Sequence, residues 1–150
     1  MIVLDTHIWL RWIIEGEKNI PKGIAEAIQS EDRVAVSAIS CFEVAQLLKR
    51  GRIELPVPLA VWLQGALEPA GIECLAVTCE ISRDSVGLQE HHKDPADRII
   101  ITTALAYDAR LASLDGTFTH EAIEMHVHGL LEDGLPIQES HSFAEYIAVV

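Results

Sequence analysis

The chain opens with IVLDTHIWL, residues 2–10, and this stretch decides the fold. Its first three residues form an apolar run that ends at Asp5, as expected of a strand buried on both faces. Thr6 then begins an apolar-rich stretch that continues through Ile14, which indicates a helix directly after the strand. A buried strand that leads into a helix is typical of an α/β domain.

The same alternation continues along the chain. Apolar spacing predicts helices after Pro21, from about residue 40 to Gly51, over 59–67, from Thr78 and from Asp94 to Tyr107. Short apolar runs predict further strands at 34–36, 75–77 and 111–114. Strands that alternate with helices predict an α/β fold in three layers, with a central parallel sheet and helices on both faces.

Length and composition indicate one compact cytoplasmic domain. The 150 residues are 49% hydrophobic, enough for a sizeable core without disulfides. The first residues lack the basic segment that begins a signal peptide, and no apolar stretch approaches the length of a membrane span. The three cysteines, at 41, 74 and 79, lie among apolar neighbours without zinc-ligand spacing, as reduced cysteines often do.

The charge balance opposes nonspecific binding to nucleic acid. There are 11 lysines and arginines against 23 aspartates and glutamates, a formal net charge of −12. The objection weakens if some carboxylates hold divalent cations, because bound metal reverses the local field. A basic partner protein would have the same effect.

Four acidic residues are predicted to meet at one edge of the sheet. Asp5 and Asp115 each end a predicted strand, while Glu43 and Asp97 fall in the first turns of helices that follow strands. Carboxylates are the ligands that Mg²⁺ prefers, and a metal cluster there could activate water against a phosphodiester. We therefore predict that these four residues are both metal ligands and catalytic residues.

Each of the four also has a structural interpretation. Asp5 could cap the helix that follows it, and Asp115, before a glycine, is typical of a turn. Glu43 stands three residues after Ser40, the spacing of a capping box, and Asp97 follows an Asp-Pro helix start. For each of the four acidic residues, the metal-ligand interpretation and the structural interpretation both stay open. The histidines at 7, 91 and 92 lack a partner at metal-ligand spacing and are not predicted as ligands.

The motifs also resemble those of a known family. The segments LDTHIWL (4–10), VSAISCFEVA (36–45), HKDPADRII (92–100) and LD (114–115) resemble, in order and spacing, the motifs of PIN-domain proteins, and most of all the VapC-like toxins of bacterial toxin–antitoxin pairs. The resemblance covers about residues 1–120. It implies a PIN-like three-layer fold and an endoribonuclease that depends on Mg²⁺ or Mn²⁺.

The resemblance also implies residue roles and partners. The family's acidic positions map onto Asp5, Glu43, Asp97 and Asp115, with Asp94 as a fifth member or only a helix cap, and with Thr6 positioning Asp5 or a metal-bound water. It further implies an RNA substrate, a homodimer, and inhibition by a cognate antitoxin whose basic or aromatic tail enters the acidic groove. Such a tail would answer the objection from net charge.

The chain departs from the family after residue 120. Residues from about 118 to 150 resemble the C-terminal segment of HicB-type antitoxins, so we predict a PIN domain over 1–120 and an atypical tail over 121–150. Within the tail, Ala122, Ile123, His126 and Leu130 can form a helical stripe, but Ile123 and Val127 also fit the alternation of a strand. The two interpretations remain open.

Two rival functions belong to other classes. A non-catalytic PIN-like binding or regulatory module would suit the acidic charge and the tail. A phosphatase with Asp5 as its nucleophile would need a second aspartate at position 7, where His7 stands. For RNA binding, the predicted phosphate contacts are Arg11, Lys49, Arg50, Arg52, Lys93 and Arg98.

Overall fold

The computed structural model describes residues 1–88 and 94–114 and the backbone of residues 147–148. Its strands are β1 (Ile2–Leu4), β2 (Val34–Ser37), β3 (Ile72–Leu75), β4 (Arg110–Ser113) and β5 (Ile147–Ala148). Its α-helices are α1 (Thr6–Glu15), α2 (Lys22–Ser30), α3 (Ala38–Lys49), α4 (Leu59–Gly65), α5 (Cys79–Val86) and α6 (Pro95–Ala106). Short 3₁₀ turns cover Glu17–Asn19 and Glu68–Ala70.

The five strands form one parallel sheet in the order β3-β2-β1-β4-β5. In the centre, Leu4 of β1 lies beside Val36 of β2 on one side and Ala112 of β4 on the other. The prediction of a three-layer α/β fold with a central parallel sheet is confirmed. Among the described residues, no helix is long and apolar enough to cross a membrane.

Two apolar layers cover the two faces of the sheet. Ile2 and Leu4 pack with Trp9 of α1 and Trp62 of α4, whose rings lie 5.2 Å apart between centroids. The opposite layer holds Val3 with residues of α6. Because successive strand side chains point to opposite faces, three buried residues in a row require cover on both sides.

Two predicted boundaries differ from the structure. The third strand begins at Ile72, three residues before the predicted start at Leu75, because Gly71 adopts a left-handed conformation (φ 74°) that lets the chain turn into the strand. Helix α3 begins at Ala38, directly after β2, and not near Ser40. The cysteines at 41, 74 and 79 are free thiols, as predicted.

The tail contributes the fifth strand. Residues 147–148 pair with Ala112 and Ser113 of β4, so this side of β4 is paired with a neighbouring strand. Residues 115–146 lie outside the described part of the chain. The competing helix and strand interpretations, the HicB-type resemblance and the division at residue 120 fall there and stay predictions.

Candidate active site

Asp5 lies at the end of β1 and is the N-cap of α1. Its Oδ1 accepts a hydrogen bond from the Ile8 amide at 2.7 Å, and its Oδ2 accepts one from the Ser113 hydroxyl at the end of β4. Only 6% of Asp5 is exposed, and this burial raises the pKa of its carboxyl, against the lowering effect of the Ser113 hydrogen bond. The helix-cap interpretation of Asp5 is confirmed. The Leu114 backbone makes a third hydrogen bond to this carboxylate, which leaves one of its four lone pairs for another ligand.

Thr6 joins the first helix to the third. Its buried Oγ1 donates a hydrogen bond to Glu43 Oε2 at 2.5 Å. Burial raises the pKa of Glu43 most, the negative charges of Asp97 and Asp94 raise it further, and the Thr6 hydrogen bond opposes them. The charges of Asp94 and Asp97 therefore act on Glu43, and Thr6, which hydrogen-bonds Glu43, directly follows Asp5 in the chain.

The capping-box interpretation of Glu43 is wrong. Because α3 begins at Ala38 with Ser37 as its N-cap residue, Ser40 is already in the first turn and Glu43 is in the second. Ser40 is fully buried, and its hydroxyl makes no hydrogen bond within the described residues. Glu43 therefore does not cap α3, and its carboxylate accepts the hydrogen bond from Thr6.

The start of α6 agrees with its sequence prediction. Asp94 is the N-cap residue and accepts a hydrogen bond from the Ala96 amide at 2.9 Å, with Pro95 as the first helical residue. Asp97 follows in the first turn, half-buried, where the helix dipole favours a negative charge. The cap role of Asp94 is therefore confirmed.

The fourth predicted ligand, Asp115, lies outside the described residues. The chain is described up to Leu114, directly after β4, and the Asp5 amide donates to the Ala112 carbonyl at 3.0 Å. Among residues 1–88 and 94–114, no three histidine, cysteine, aspartate or glutamate side chains gather closely enough to enclose a metal ion.

The donor chemistry nevertheless fits a hard divalent cation. Asp5 and Glu43 offer carboxylate oxygens, and both have raised pKa values because burial disfavours their charged forms. A cation beside them would offset the cost of keeping these groups ionised. Mg²⁺ also keeps several of its waters, so it needs fewer protein ligands than an enclosed site supplies.

His7, which the sequence does not predict as a ligand, lies in the first turn of α1, two residues after Asp5. It lines a pocket of about 440 Å³ together with Glu43, Arg50 and Asp94. Its charge lowers the pKa values of Asp5 and Glu43.

Arg98 has a structural role. Its guanidinium donates to the carbonyl oxygens of Ser85 at 2.9 Å, of Val86 at 2.8 Å and of Leu88. It therefore satisfies carbonyl groups at and just beyond the end of α5 and ties this helix to α6. Lys93 lies outside the described residues. The remaining predicted phosphate contacts, Arg11, Lys49, Arg50 and Arg52, are exposed.

Comparison with known proteins identifies the family. The PIN domain model matches residues 2–123. Ribonuclease VapC22 of Mycobacterium tuberculosis is 34% identical over 115 residues, which are 76% of this chain and 86% of that protein. The predicted resemblance to VapC-like proteins is confirmed by this match.

Two solved structures share the fold. One is the VapBC2 complex of Rickettsia felis bound to a fragment of its promoter DNA, with a TM-score of 0.56 and 17% identity over 81% of this chain and 93% of that chain. The other is a toxin–antitoxin complex from Klebsiella pneumoniae, with a TM-score of 0.54 and 20% identity over 81% of this chain and 89% of that chain. The ordered motifs, the parallel sheet and these matches agree: the chain belongs to the PIN-domain family.

Proposed function

We propose that this protein is a Mg²⁺- or Mn²⁺-dependent endoribonuclease toxin that hydrolyses phosphodiester bonds of RNA. The observation that carries the proposal is the hydrogen bond to the half-buried carboxylate of Glu43 from Thr6, the residue that directly follows the buried Asp5. The charge of Asp97 also acts on Glu43. The 34% identity to a protein named a ribonuclease supports the same reaction class.

Asp5, Glu43, Asp97 and Asp115 are the proposed metal ligands and catalytic residues. Asp115 belongs to the set because it directly follows Leu114, whose backbone also lowers the pKa of Asp5 through a hydrogen bond. A bound divalent cation supplies positive charge for the phosphate oxygens and lowers the pKa of a water. No side-chain nucleophile is required.

The protein's own groups hold the carboxylates in place for this chemistry. The Ile8 amide and the Ser113 hydroxyl fix the two oxygens of Asp5, so its orientation is set by β4 and by the first turn of α1. Thr6 does the same for Glu43 from the neighbouring helix. Preorganised carboxylates of this kind need no rearrangement when the substrate arrives.

The proposal includes partners. One solved neighbour is a toxin–antitoxin complex and the other is the DNA-bound VapBC2 complex, which supports a cognate antitoxin for this chain. The net charge of −12 favours a partner with a basic segment. A homodimer and a cytoplasmic location are part of the same proposal, and light scattering of the purified chain tests the former.

RNA cleavage with matched variants tests the proposal. Purified protein, free of any co-purifying partner, is incubated with a mixture of structured RNAs in Mg²⁺, in Mn²⁺ and in EDTA. We expect cleavage in either metal, none in EDTA, and none with Asp5→Asn. Glu26→Gln is the control, since this exposed glutamate on α2 pairs only weakly with Lys22 at 3.4 Å.

The opposite result has a defined meaning. A folded wild-type protein that cleaves no RNA and binds no Mn²⁺ would favour the non-catalytic binding module instead. Cleavage that survives in EDTA would contradict the metal requirement, and cleavage that survives in Asp5→Asn would remove Asp5 from the catalytic set.

A further inference from the structure

One face of α3 borders the pocket beside the proposed active site. Ile39, Phe42, Glu43, Gln46 and Arg50 recur at helical spacing and all line this pocket of about 440 Å³. The start of α6 provides further lining residues, including Asp94 and Pro95. The pocket thus combines apolar side chains, carboxylates and one guanidinium, and its volume falls in the range of small-molecule sites.

Phe42 is the unusual member of this face. Its side chain is 54% exposed and it directly precedes Glu43. It also lines an adjoining pocket of about 490 Å³ with Lys49 and Arg50. An exposed apolar residue alone needs no explanation, but here an aromatic ring lines one pocket with a carboxylate of the proposed active site and an adjoining pocket with two cations.

This arrangement matches the chemistry of an unpaired nucleotide. Bases of single-stranded RNA stack on aromatic rings, while lysine and arginine contact the backbone phosphates. Bases inside a duplex are already stacked and cannot reach such a ring.

We propose that Phe42 is a stacking platform for an unpaired RNA base beside the scissile phosphate, and that Lys49 and Arg50 contact the adjoining backbone phosphate. The inference rests on the proposed ribonuclease function and deepens it by assigning Phe42 as the residue that binds an unpaired base of the substrate. Phe42 is then a specificity-determining residue that acts on substrate binding, and it takes no part in bond cleavage.

Steady-state cleavage of an unpaired oligoribonucleotide tests this role. Phe42→Leu keeps an apolar side chain but removes the π surface, so we expect KM to rise about tenfold while kcat stays within twofold. Phe42→Trp should retain the wild-type KM. Val61→Ala is the matched control, because Val61 is equally exposed (56%) on α4 and lies outside both pockets.

A spectroscopic measurement reports stacking without turnover. In the inactive Asp5→Asn background, Phe42→Trp adds an exposed indole whose emission should fall when single-stranded RNA is added and should not respond to duplex RNA. Val61→Trp in the same background should not respond to either RNA. This readout depends on contact between ring and base, and a merely structural role of Phe42 would not produce it.

The possible results distinguish failure of the stacking role of Phe42 from failure of the proposed ribonuclease function. An unchanged KM in Phe42→Leu, equal cleavage of duplex and single strand, or unquenched emission from Trp at position 42 would overturn the stacking role while leaving the ribonuclease intact. A Phe42→Leu chain with altered molar mass in light scattering would assign the ring to an interface between copies and also overturn it. A wild-type protein that cleaves nothing would overturn both proposals.

Discussion

Replacing Asp5 with asparagine separates two roles that one side chain combines. Asp5 caps α1 through the Ile8 amide and accepts the hydroxyl of Ser113, and it is also a proposed metal ligand. Asparagine keeps an oxygen for the Ile8 amide, and the Ser113 hydroxyl can rotate to accept from the new amide nitrogen. The substitution therefore removes the charge and preserves the hydrogen bonds with Ile8 and Ser113.

The structure sets the expected magnitudes. Asparagine and aspartate cap helices about equally well, so the free energy of unfolding of Asp5→Asn without metal should stay within about 1 kcal/mol of wild type or exceed it. Asp5→Ala loses the cap, at about 1 kcal/mol, and leaves the hydroxyl of the buried Ser113 without this acceptor, at roughly 1–3 kcal/mol more. Asp5→Ala should therefore be less stable by roughly 2–4 kcal/mol.

The pH dependence has a defined sign. Burial raises the pKa of Asp5 in the folded state above its usual value of 3.8, so the folded protein binds the proton more tightly than the unfolded chain does. This contribution to stability is complete below pH 3.8 and is lost as pH rises through the folded-state pKa. Asp5→Asn lacks the titration, so its stability relative to wild type should increase across that range.

Urea unfolding in EDTA and in Mn²⁺ measures the free energy of unfolding of wild type and of both variants, its dependence on pH, and the stabilisation by the metal. In EDTA, Asp5→Asn should match or exceed wild type and Asp5→Ala should fall below it. Mn²⁺ should raise the midpoint of wild type and leave both variants unchanged, because only wild type binds the ion. If Asp5→Asn is as unstable as Asp5→Ala, or if Mn²⁺ stabilises it as much as wild type, the division between cap and charge is refuted.

Three further substitutions test other contacts. Thr6→Val removes the donor to Glu43 and should lower kcat for RNA cleavage about tenfold or more, whereas Thr6→Ser should restore it; equal rates would contradict a positioning role. Glu31→Gln should lose about 1 kcal/mol at pH 7 in urea unfolding, because hydrogen bonds from the chain's α-amino group and Arg110 lower the pKa of Glu31. This loss should shrink as pH falls through the folded-state pKa of Glu31, where the added stability disappears. A pH-independent loss would contradict that origin. Val3→Asp should prevent folding, seen by circular dichroism, because it places an unpaired charge in a fully buried strand; a folded variant would contradict the register of β1.

The sequence predicted the architecture because the central strands β1, β2 and β4 are short and mostly buried. The apolar run at residues 2–4 has no alternation, which only a sheet covered by helices on both sides explains. Once the strands were known to be parallel, their carboxyl ends had to share an edge, and this placed Asp5 near the end of β4. The position of Asp5 at this edge followed from topology and needed no side-chain geometry.

Other features depended on contacts that no local pattern encodes. The Ser40 to Glu43 spacing resembled a capping box, but β2 runs directly into α3, so the helix was already under way at Ser40. The link from Thr6 to Glu43 spans 37 positions in sequence, and the contacts of Arg98 with the end of α5 span 10 to 13. Such tertiary hydrogen bonds become visible only when the elements are packed together.

The acidity of the whole chain and the acidity of the site act over different distances. At physiological ionic strength, charges separated by more than about 8 Å are largely screened, so most of the net charge of −12 does not reach a phosphate held at the site. What the phosphate meets there is set by nearby groups. These are the carboxylates of Asp5 and Glu43, with raised pKa values, and the cations Lys49 and Arg50, about two turns after Glu43 at the end of α3. Carboxylates without a cation would repel the phosphate, and a divalent ion reverses that sign locally. The charge balance of the sequence therefore argues against nonspecific binding to nucleic acid, and it does not argue against a metal-dependent nuclease.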